Sequence, residues 1–355
     1  MVICLGTAWS RFVVPVTDSV SSKESTPQER SAAVREHALA LGFDLVGIAP
    51  PAAGVAHERY ADAMSRGFGA DMGWLRDNPE VRSDVREIHP TARSVVMLGV
   101  SYWSDTPGYL EAPPNEGEGW IARYAQGKDY HVVIRRRLIQ LVKAFEADPR
   151  LGYPSVAHRI FVDTGPVLEK AFAQRAGLGW IGKNTLLLNQ DLGSWLFLAT
   201  VLTPLELALD EAGVDHCGSC TRCLDACPTD AFPEPYVLDA RRCIATWTIE
   251  SHEPSRDIVP EQLGGHLFGC DICQEVCPWN RSPVETSIPS LAPRPENQRP
   301  SLATLKGLDE VSFKARFPRS AVRRTDPGRM EQVIDALESN RSGAGAPRTK
   351  EKAAE

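Results

Sequence analysis

Eight of the nine cysteines of this 355-residue chain fall between His216 and Asn280, and their spacing constrains the fold more than any other feature. The stretch opens with Cys217, Cys220, Cys223 and Cys227 followed by Pro228, a C-x2-C-x2-C-x3-C-P run. In bacterial-type ferredoxins such a run binds 4Fe-4S clusters, with its first three thiolates on one cluster and the fourth on another. A second set of cysteines is therefore required. Cys270, Cys273 and Cys277, followed by Pro278, repeat the end of the pattern, and Cys243 stands alone between the runs. Exchanging the long-spaced cysteine of each run puts Cys217, Cys220, Cys223 and Cys277 on one cluster. Cys227, Cys243, Cys270 and Cys273 then hold the other, with none left over. Zinc also takes C-x2-C pairs, but each site needs four ligands, and three cysteines at two-residue gaps ahead of Cys-Pro are unusual for it. Disulfides fit less well, because nine clustered cysteines in a chain of this length are sparse for a secreted scaffold. They point to a reducing compartment, here expected to be the cytoplasm.

Two clusters carry electrons one at a time, which leaves open a carrier or a reductase. A carrier needs little beyond the cysteine stretch, whereas most of this chain precedes it, and that part is expected to hold the electron acceptor. The length suits two domains with a sizeable core, and 43% hydrophobic content is ordinary. With 39 basic and 46 acidic residues, the net charge of -7 gives no general attraction to nucleic acid and leaves room only for a local basic patch. The most apolar run, around Trp195 to Leu205, is too short to cross a bilayer and is broken by Pro204, so no membrane association is expected. Residues 1–27 lack a basic start and a cleavage site and read as a disordered extension, so Cys4 is not a cluster ligand.

Along the chain, Thr26-Pro27 starts a helix that Gly42 can close, followed by a strand in FDLVGIAP and a second in SVVMLGVSYW. Phe68 to Trp74 reads as a loop-rich insertion, and the acidic stretch from Gly108 to Gly119 as an exposed loop. From Tyr130 onward Val132, Val133, Leu138, Leu141, Val142 and Phe145 form a helical stripe. Arg135, Arg136 and Arg137 on that helix need solvent or an anionic partner. RIFVDT (159–164) reads as a short strand ending in an acid, GLGWIGKNTLLLN (177–189) as a glycine-rich ligand loop, and SWLFLATVL as a buried strand. Glycines 177, 179 and 182 would let the backbone approach a large ligand. Helices alternating with strands up to about residue 205 argue for an α/β domain. Asp163, at the carboxyl end of a strand beside Gly165-Pro166, sits where α/β sheets place ligands. In an apolar setting its pKa would rise and let it donate a proton, and the alternative reading is a helix cap. After the cysteines come an extended connector, Ser282 to Pro300, and short helices to about residue 340.

Four segments together, RYAQGKDYH (123–131), VDTGPVLEKAFAQRAGLGWIGKNTLLLN (162–189), HCGSCTRCLDACPTDAF (216–232) and CDICQEVCPWN (270–280), resemble the epoxyqueuosine reductase family. The resemblance runs from about residue 30 to 290. It implies a nitroreductase-like α+β or α/β domain that binds cobalamin (28–205) and a two-cluster ferredoxin domain (206–290). A C-terminal helical segment (291–340) and a disordered tail (341–355) follow. The implied reaction is removal of the epoxide oxygen of epoxyqueuosine in tRNA, with electrons passing from an external low-potential donor through the clusters to cobalamin. By match to VDTGP, Asp163 takes the proton-donor role. Arg86 matches a corrin-contacting arginine and Gln126 lies near the cobalt face, with no histidine expected as a ligand. Lys183, Asn184 and Leu187 in GWIGKNTLL would contact the corrin edge and nucleotide tail. The cluster of Cys227, Cys243, Cys270 and Cys273 would lie nearer the cobalamin and the other would face the donor. Substrate RNA would meet Arg222, Arg241 and Arg242, for which salt bridges are an equal reading. The protein is expected to act as a monomer.

Two rival readings stand beside this one. A reductive dehalogenase uses the same cofactors but is expected to carry an export signal and a different acid, and VDTGP speaks against it. A ferredoxin-like carrier fused to a binding module is disfavoured by the large domain ahead of the cysteines.

Overall fold

The computed structural model describes residues 25–251 and 260–342. Most of the N-terminal extension and of the C-terminal tail therefore lies outside the described residues. Helix α1 (Pro27–Ala40) begins with a reciprocal cap. The Thr26 hydroxyl accepts from the Glu29 N–H at 3.2 Å, while the Glu29 carboxylate accepts from the Thr26 N–H at 2.7 Å. Such a cap contributes about 1 kcal/mol. Strand β1 (Leu45–Ala49), helices α2 (Val55–Ser65) and α3 (Pro79–Ser83), and strand β2 (Ser94–Ser101) follow. Next come β3 (Trp120–Ile121), α4 (Arg123–Gln126), α5 (Tyr130–Ala147), β4 (Arg159–Phe161), α6 (Glu169–Arg175), β5 (Trp180–Ile181), β6 (Leu187–Leu188) and β7 (Leu196–Thr203).

The main sheet has the order β1-β2-β7-β4, and each pairing in it is antiparallel. The α+β half of the expected fold class therefore describes the sheet and the α/β half does not. The alternation of helix and strand along the chain misled, because the long β1–β2 connection through α2 and α3 returns the chain in the opposite direction. The argument that placed Asp163 at the switch point of a parallel sheet fails with it. Every residue of β2 is buried, as expected of a central strand covered on both faces. One face carries α1 and α5, whose Val133, Ile134, Leu138, Leu141 and Phe145 pack with Val96, Leu98 and Val201. The other carries α6, through Phe172 and Ala173 against Val95, Met97 and Leu202.

The cysteine region adds α7 (Arg222–Asp225), strand β8 (His266–Phe268) and α8 (Ile272–Glu275). It is tied into the rest of the molecule. β8 pairs in parallel with β3, and the Ala240 N–H donates to the Phe68 carbonyl at 3.0 Å. Phe68 in turn is buried under the guanidinium groups of Arg66 and Arg241, so this stretch packs as structure and is not a free insertion. The acidic loop is also anchored, because the backbone N–H groups of Tyr109 and Leu110 donate to the Glu275 carboxylate. Helices α9 (Pro295–Gln298), α10 (Glu310–Arg316) and α11 (Pro327–Ser342) close the chain. Met330, Val333, Ile334 and Leu337 of α11 share one core with Ala33 of α1 and Phe268 of β8.

Candidate active site and cluster sites

The two cysteine runs meet because α7 and α8, each following the first residues of a C-x2-C turn, pack on one another. Cys217, Cys220, Cys223 and Cys277 thereby line a single cavity of about 220 Å³, closed by Leu188, Trp279 and the Lys183 stem. A tetrahedral zinc site, with sulfurs about 2.3 Å from the ion, would leave no such space. Among the described residues no three His, Cys, Asp or Glu side chains converge on a single-ion site. A thiol ring around an open cavity fits a cubane better than a lone ion. The Cys223 thiol is pushed up to about 11 by burial and by the neighbouring charges of Cys277 and Cys217. Iron must therefore displace protons as it binds.

Cys227, Cys243, Cys270 and Cys273 form a second group. Burial raises the pKa of the Cys273 thiol first, and the charges of Cys243 and Cys227 raise it further. Cys223 of the first group also acts on it, so the two groups are neighbours. Cys270 is raised in the same way, by burial and then by Cys273 and Cys243. The lone Cys243 precedes a short π-helix, Thr246–Glu250, a form common at functional sites.

Lys183 and Asn184, two residues expected to touch a corrin, make hydrogen bonds that hold these loops. The ammonium of Lys183, itself buried, donates to the carbonyls of Gly218 at 2.7 Å and Cys220 at 3.0 Å. Asn184 donates to the Cys273 carbonyl at 3.2 Å and accepts from the Leu186 N–H at 3.3 Å. The glycine-rich segment is a hairpin of β5 and β6, and its glycines serve internal packing. A Cβ on Gly179 would stand 1.9 Å from the Leu188 carbonyl oxygen, and one on Gly182 would stand 2.5 Å from the Leu188 side chain. The Leu187 side chain points into the core. Arg86 is an exposed partner of Asp84 at 2.5 Å.

Asp163 lies beyond the end of β4, in a turn where its φ of 60° places it in the left-handed region. That conformation is uncommon outside glycine and collects at functional sites. Its carboxylate faces the Nε2 of His131 at 3.2 Å, and the Nδ1 of His131 faces Asp129 at 2.8 Å. Tyr130 stacks on both His131 and Phe197, and its hydroxyl acts on the Asp163 carboxylate. The Asp163 N–H donates to Glu169 at 3.2 Å. The charges do not follow the expectation for an acid in an apolar setting. Burial pushes the Asp163 carboxyl up, but the bonds from His131 and Tyr130 and the His131 charge outweigh it, so the pKa ends below its ordinary value. Its side chain is 58% exposed, so desolvation is incomplete. Glu169 is the raised acid, pushed up to about 8 by burial and by the charge of Asp163. His131 is pushed down by burial and lifted more strongly by Asp129 and Asp163, to about 9. The Lys170 ammonium lies in the field of both Asp163 and Cys273, so the acid and the second cysteine group share a neighbourhood.

A family model described as a 4Fe-4S double cluster binding domain matches residues 216–280. Another, described as epoxyqueuosine reductase QueG, DUF1730, matches residues 82–164. The epoxyqueuosine reductase of Synechocystis sp. is 42% identical over 283 residues, which span 79% of this chain and 94% of that protein. The chain belongs to the epoxyqueuosine reductase family. The epoxyqueuosine reductase of Gloeobacter violaceus is 41% identical over 302 residues, covering 83% of this chain and 91% of that one. Among solved structures, an epoxyqueuosine reductase bound to an epoxyqueuosine-modified tRNA-Tyr stem loop superposes with a TM-score of 0.78 at 29% identity. The match covers 87% of this chain and 80% of that chain. The Bacillus subtilis epoxyqueuosine reductase, with a TM-score of 0.77 at 28% identity, has been captured with a catalytic aspartate loop swung out of its active site.

Sequence reasoning singled out Gln126 from RYAQGKDYH and passed over Asp129, Tyr130 and His131. It likewise passed over Glu169 and Lys170 in PVLEK. The signal was present in both motifs. A D-Y-H triplet at a helix start offers a cap and a base within one turn, but nothing local says that Asp163 closes against it.

Proposed function

We propose that this chain reduces epoxyqueuosine to queuosine in tRNA, with electrons entering through two 4Fe-4S clusters and reaching cobalamin beside Asp163. The observation that carries this reading is the link between the Asp163 turn and the second cysteine group, in which Lys170 donates to the Thr185 carbonyl at 2.7 Å and the adjacent Asn184 donates to the Cys273 carbonyl at 3.2 Å, in a chain of this family. The residue groups 28–205 and 206–290 divide the work between substrate chemistry and electron delivery, with the first domain taking a nitroreductase-like role in holding the cofactor. The donor is an external low-potential reductant, and the protein works as a cytoplasmic monomer. No helix among the described residues is long and apolar enough to cross a membrane.

The residues around Asp163 suit a corrin whose metal takes no protein ligand. The His131 imidazole has both nitrogens engaged, by Asp129 and Asp163, and is not offered to a metal. Gln126 is buried, its Nε2 donates to the Ile121 carbonyl at 2.7 Å, and its Oε1 has no hydrogen-bond partner among the described residues. That buried acceptor has an unmet need, which supports a ligand near RYAQGKDYH. Cobalamin when bound supplies a low-potential, nucleophilic metal centre for opening the epoxide. Asp163 positions a proton at Oδ2 for the departing oxygen, and its exposure leaves room for a nucleotide to enter. Glu169 holds the Asp163 backbone in its left-handed turn. Lys183 and Asn184 keep the two cluster loops in place.

RNA phosphates near the site meet Arg323, whose charge acts on Asp129; Arg324, whose charge acts on Asp163, is itself paired with Glu250 at 2.9 Å. Of the arginines expected to do so, Arg241 is paired with Asp239 at 2.7 Å, and Arg222 lines a surface hollow beside Cys277, on the cluster side. Nucleoside analysis of tRNA from cells lacking the protein tests the reading. Accumulated epoxyqueuosine that disappears on complementation is expected, and unchanged queuosine would overturn it.

A further inference from the structure

Turning an epoxide into an alkene takes two electrons and two protons and releases the oxygen as water. The electrons come from the external reductant, and the protons must come through the residue that touches the oxygen. Asp163 is held in its ionised form by its neighbours, so by itself it is a poor reserve of protons. The group that faces its Oδ2 is the Nε2 of His131 at 3.2 Å, and the far side of that ring is held by Asp129 at 2.8 Å. Asp129 is itself fixed, because it caps α5 by accepting the His131 N–H at 3.0 Å and its own N–H donates to the Arg319 carbonyl at 2.7 Å. Ring stacking of His131 on Tyr130 at 4.1 Å, and of Tyr130 on Phe197 at 4.2 Å, sets the plane of the imidazole.

We propose that His131, oriented by Asp129, is the proton reserve that reloads Asp163 during the reduction, which makes Asp129 a positioning residue for the reaction. This rests on the reading given under Proposed function. In each delivery the Nε2–H bond of the imidazolium breaks, an O–H bond forms on Asp163 Oδ2, and that proton passes to the substrate oxygen. The neutral imidazole then takes a proton from solvent along its exposed edge, since the side chain is 30% exposed. Two such deliveries balance the two electrons and leave water. The charged groups acting on this pair are Asp129 on its own helix, Asp163, Glu169 and Lys170 from the turn into α6 and its first residues, Arg323 acting on Asp129, and Arg324 acting on Asp163. The acids hold the imidazolium charged, as a reserve requires, and lift His131 to about 9.

The test uses the oxidised holoenzyme with a modified stem-loop RNA. His131 is titrated by histidine-labelled NMR, and the pH dependence of kcat is measured alongside. The wild-type imidazole is expected to titrate well above the ordinary value of about 6.5. Asp129→Asn keeps the cap on α5, since asparagine caps as well as aspartate. It should bring the His131 titration down and move the alkaline limb of kcat down by the same amount, with KM unchanged. His131→Gln should lower kcat by about 10²-fold while the cobalamin spectrum and KM stay as in the wild type. A wild-type His131 that titrates at its ordinary value overturns the proposal even if no variant folds. So does an alkaline limb that stays in place in Asp129→Asn. A wild-type enzyme inactive on the stem loop would instead fail the functional reading itself, and that is seen before any variant is compared.

Discussion

Lys183→Met separates the corrin contact implied by family resemblance from the loop-holding role described by the structure. The ammonium makes two charge-assisted hydrogen bonds, to the carbonyls of Gly218 and Cys220, inside the loop that carries three of the first cluster's cysteines. Bonds to a charged donor contribute roughly 1.5–3 kcal/mol each. Gly218 is exposed and Cys220 only half-buried, so water re-solvates the freed carbonyls and the net cost falls below the sum. Methionine keeps most of the buried stem volume, which limits any cavity. About 2 kcal/mol is left for opening of the loop, or roughly a 30-fold larger open population. With chelator in excess, iron should leave the first cluster about 30-fold faster than in the wild type, while the second cluster and cobalamin affinity change little. Following the loss of each cluster separately by EPR measures this. Equal rates of loss, together with weakened cobalamin binding, would refute the loop-holding role and restore the corrin contact.

Other substitutions test the remaining parts. Cys277→Ala should damage the cluster held by Cys217, Cys220 and Cys223, and Cys273→Ala the other; spectra with the effects exchanged would undo the ligand assignment. Asp163→Asn should abolish turnover while clusters and cobalamin stay bound, and loss of cobalamin would recast the residue as a binding group. The sign for Glu169 follows from its raised pKa of about 8. A carboxyl that holds its proton more tightly when folded contributes stability below its unfolded value of about 4.3 and loses it as pH rises through about 8. Glu169→Gln should therefore gain stability over the wild type on going from pH 5 to pH 9 in thermal unfolding, and a constant difference would show that the carboxyl is not buried as described.

Much of the cluster region was legible because thiolate spacing is a local property. A C-x2-C-x2-C turn places its cysteines on one loop whatever surrounds it, and the chain then brings Cys277 to the same cavity. Helix α1 was legible for the same reason, since a Thr26 cap and a proline at the first turn act within four residues. Strand direction was less so. Buried strands in parallel and antiparallel sheets carry the same apolar residues, and the register of β2 between β1 and β7 is set by long-range pairing. The glycines of the β5–β6 hairpin misled in a related way. A requirement for no side chain looks the same in sequence whether a ligand or the Leu188 carbonyl stands opposite.

What the sequence determined by itself was the iron-sulfur chemistry of the cysteine stretch and the family, and through that resemblance it marked Asp163 as a candidate acid. The charge state of that acid was decided only by the tertiary structure. A carboxyl's pKa depends on groups within a few ångströms, and the ones that matter here are His131, which lies 32 residues earlier in the chain, and Tyr130 beside it. The hydrogen bonds of Lys183 depend on the same kind of fact. Its chemistry, a buried ammonium in need of acceptors, was written in the sequence, but the carbonyls that meet that need belong to a loop 35 residues away, and only folding brings them within reach.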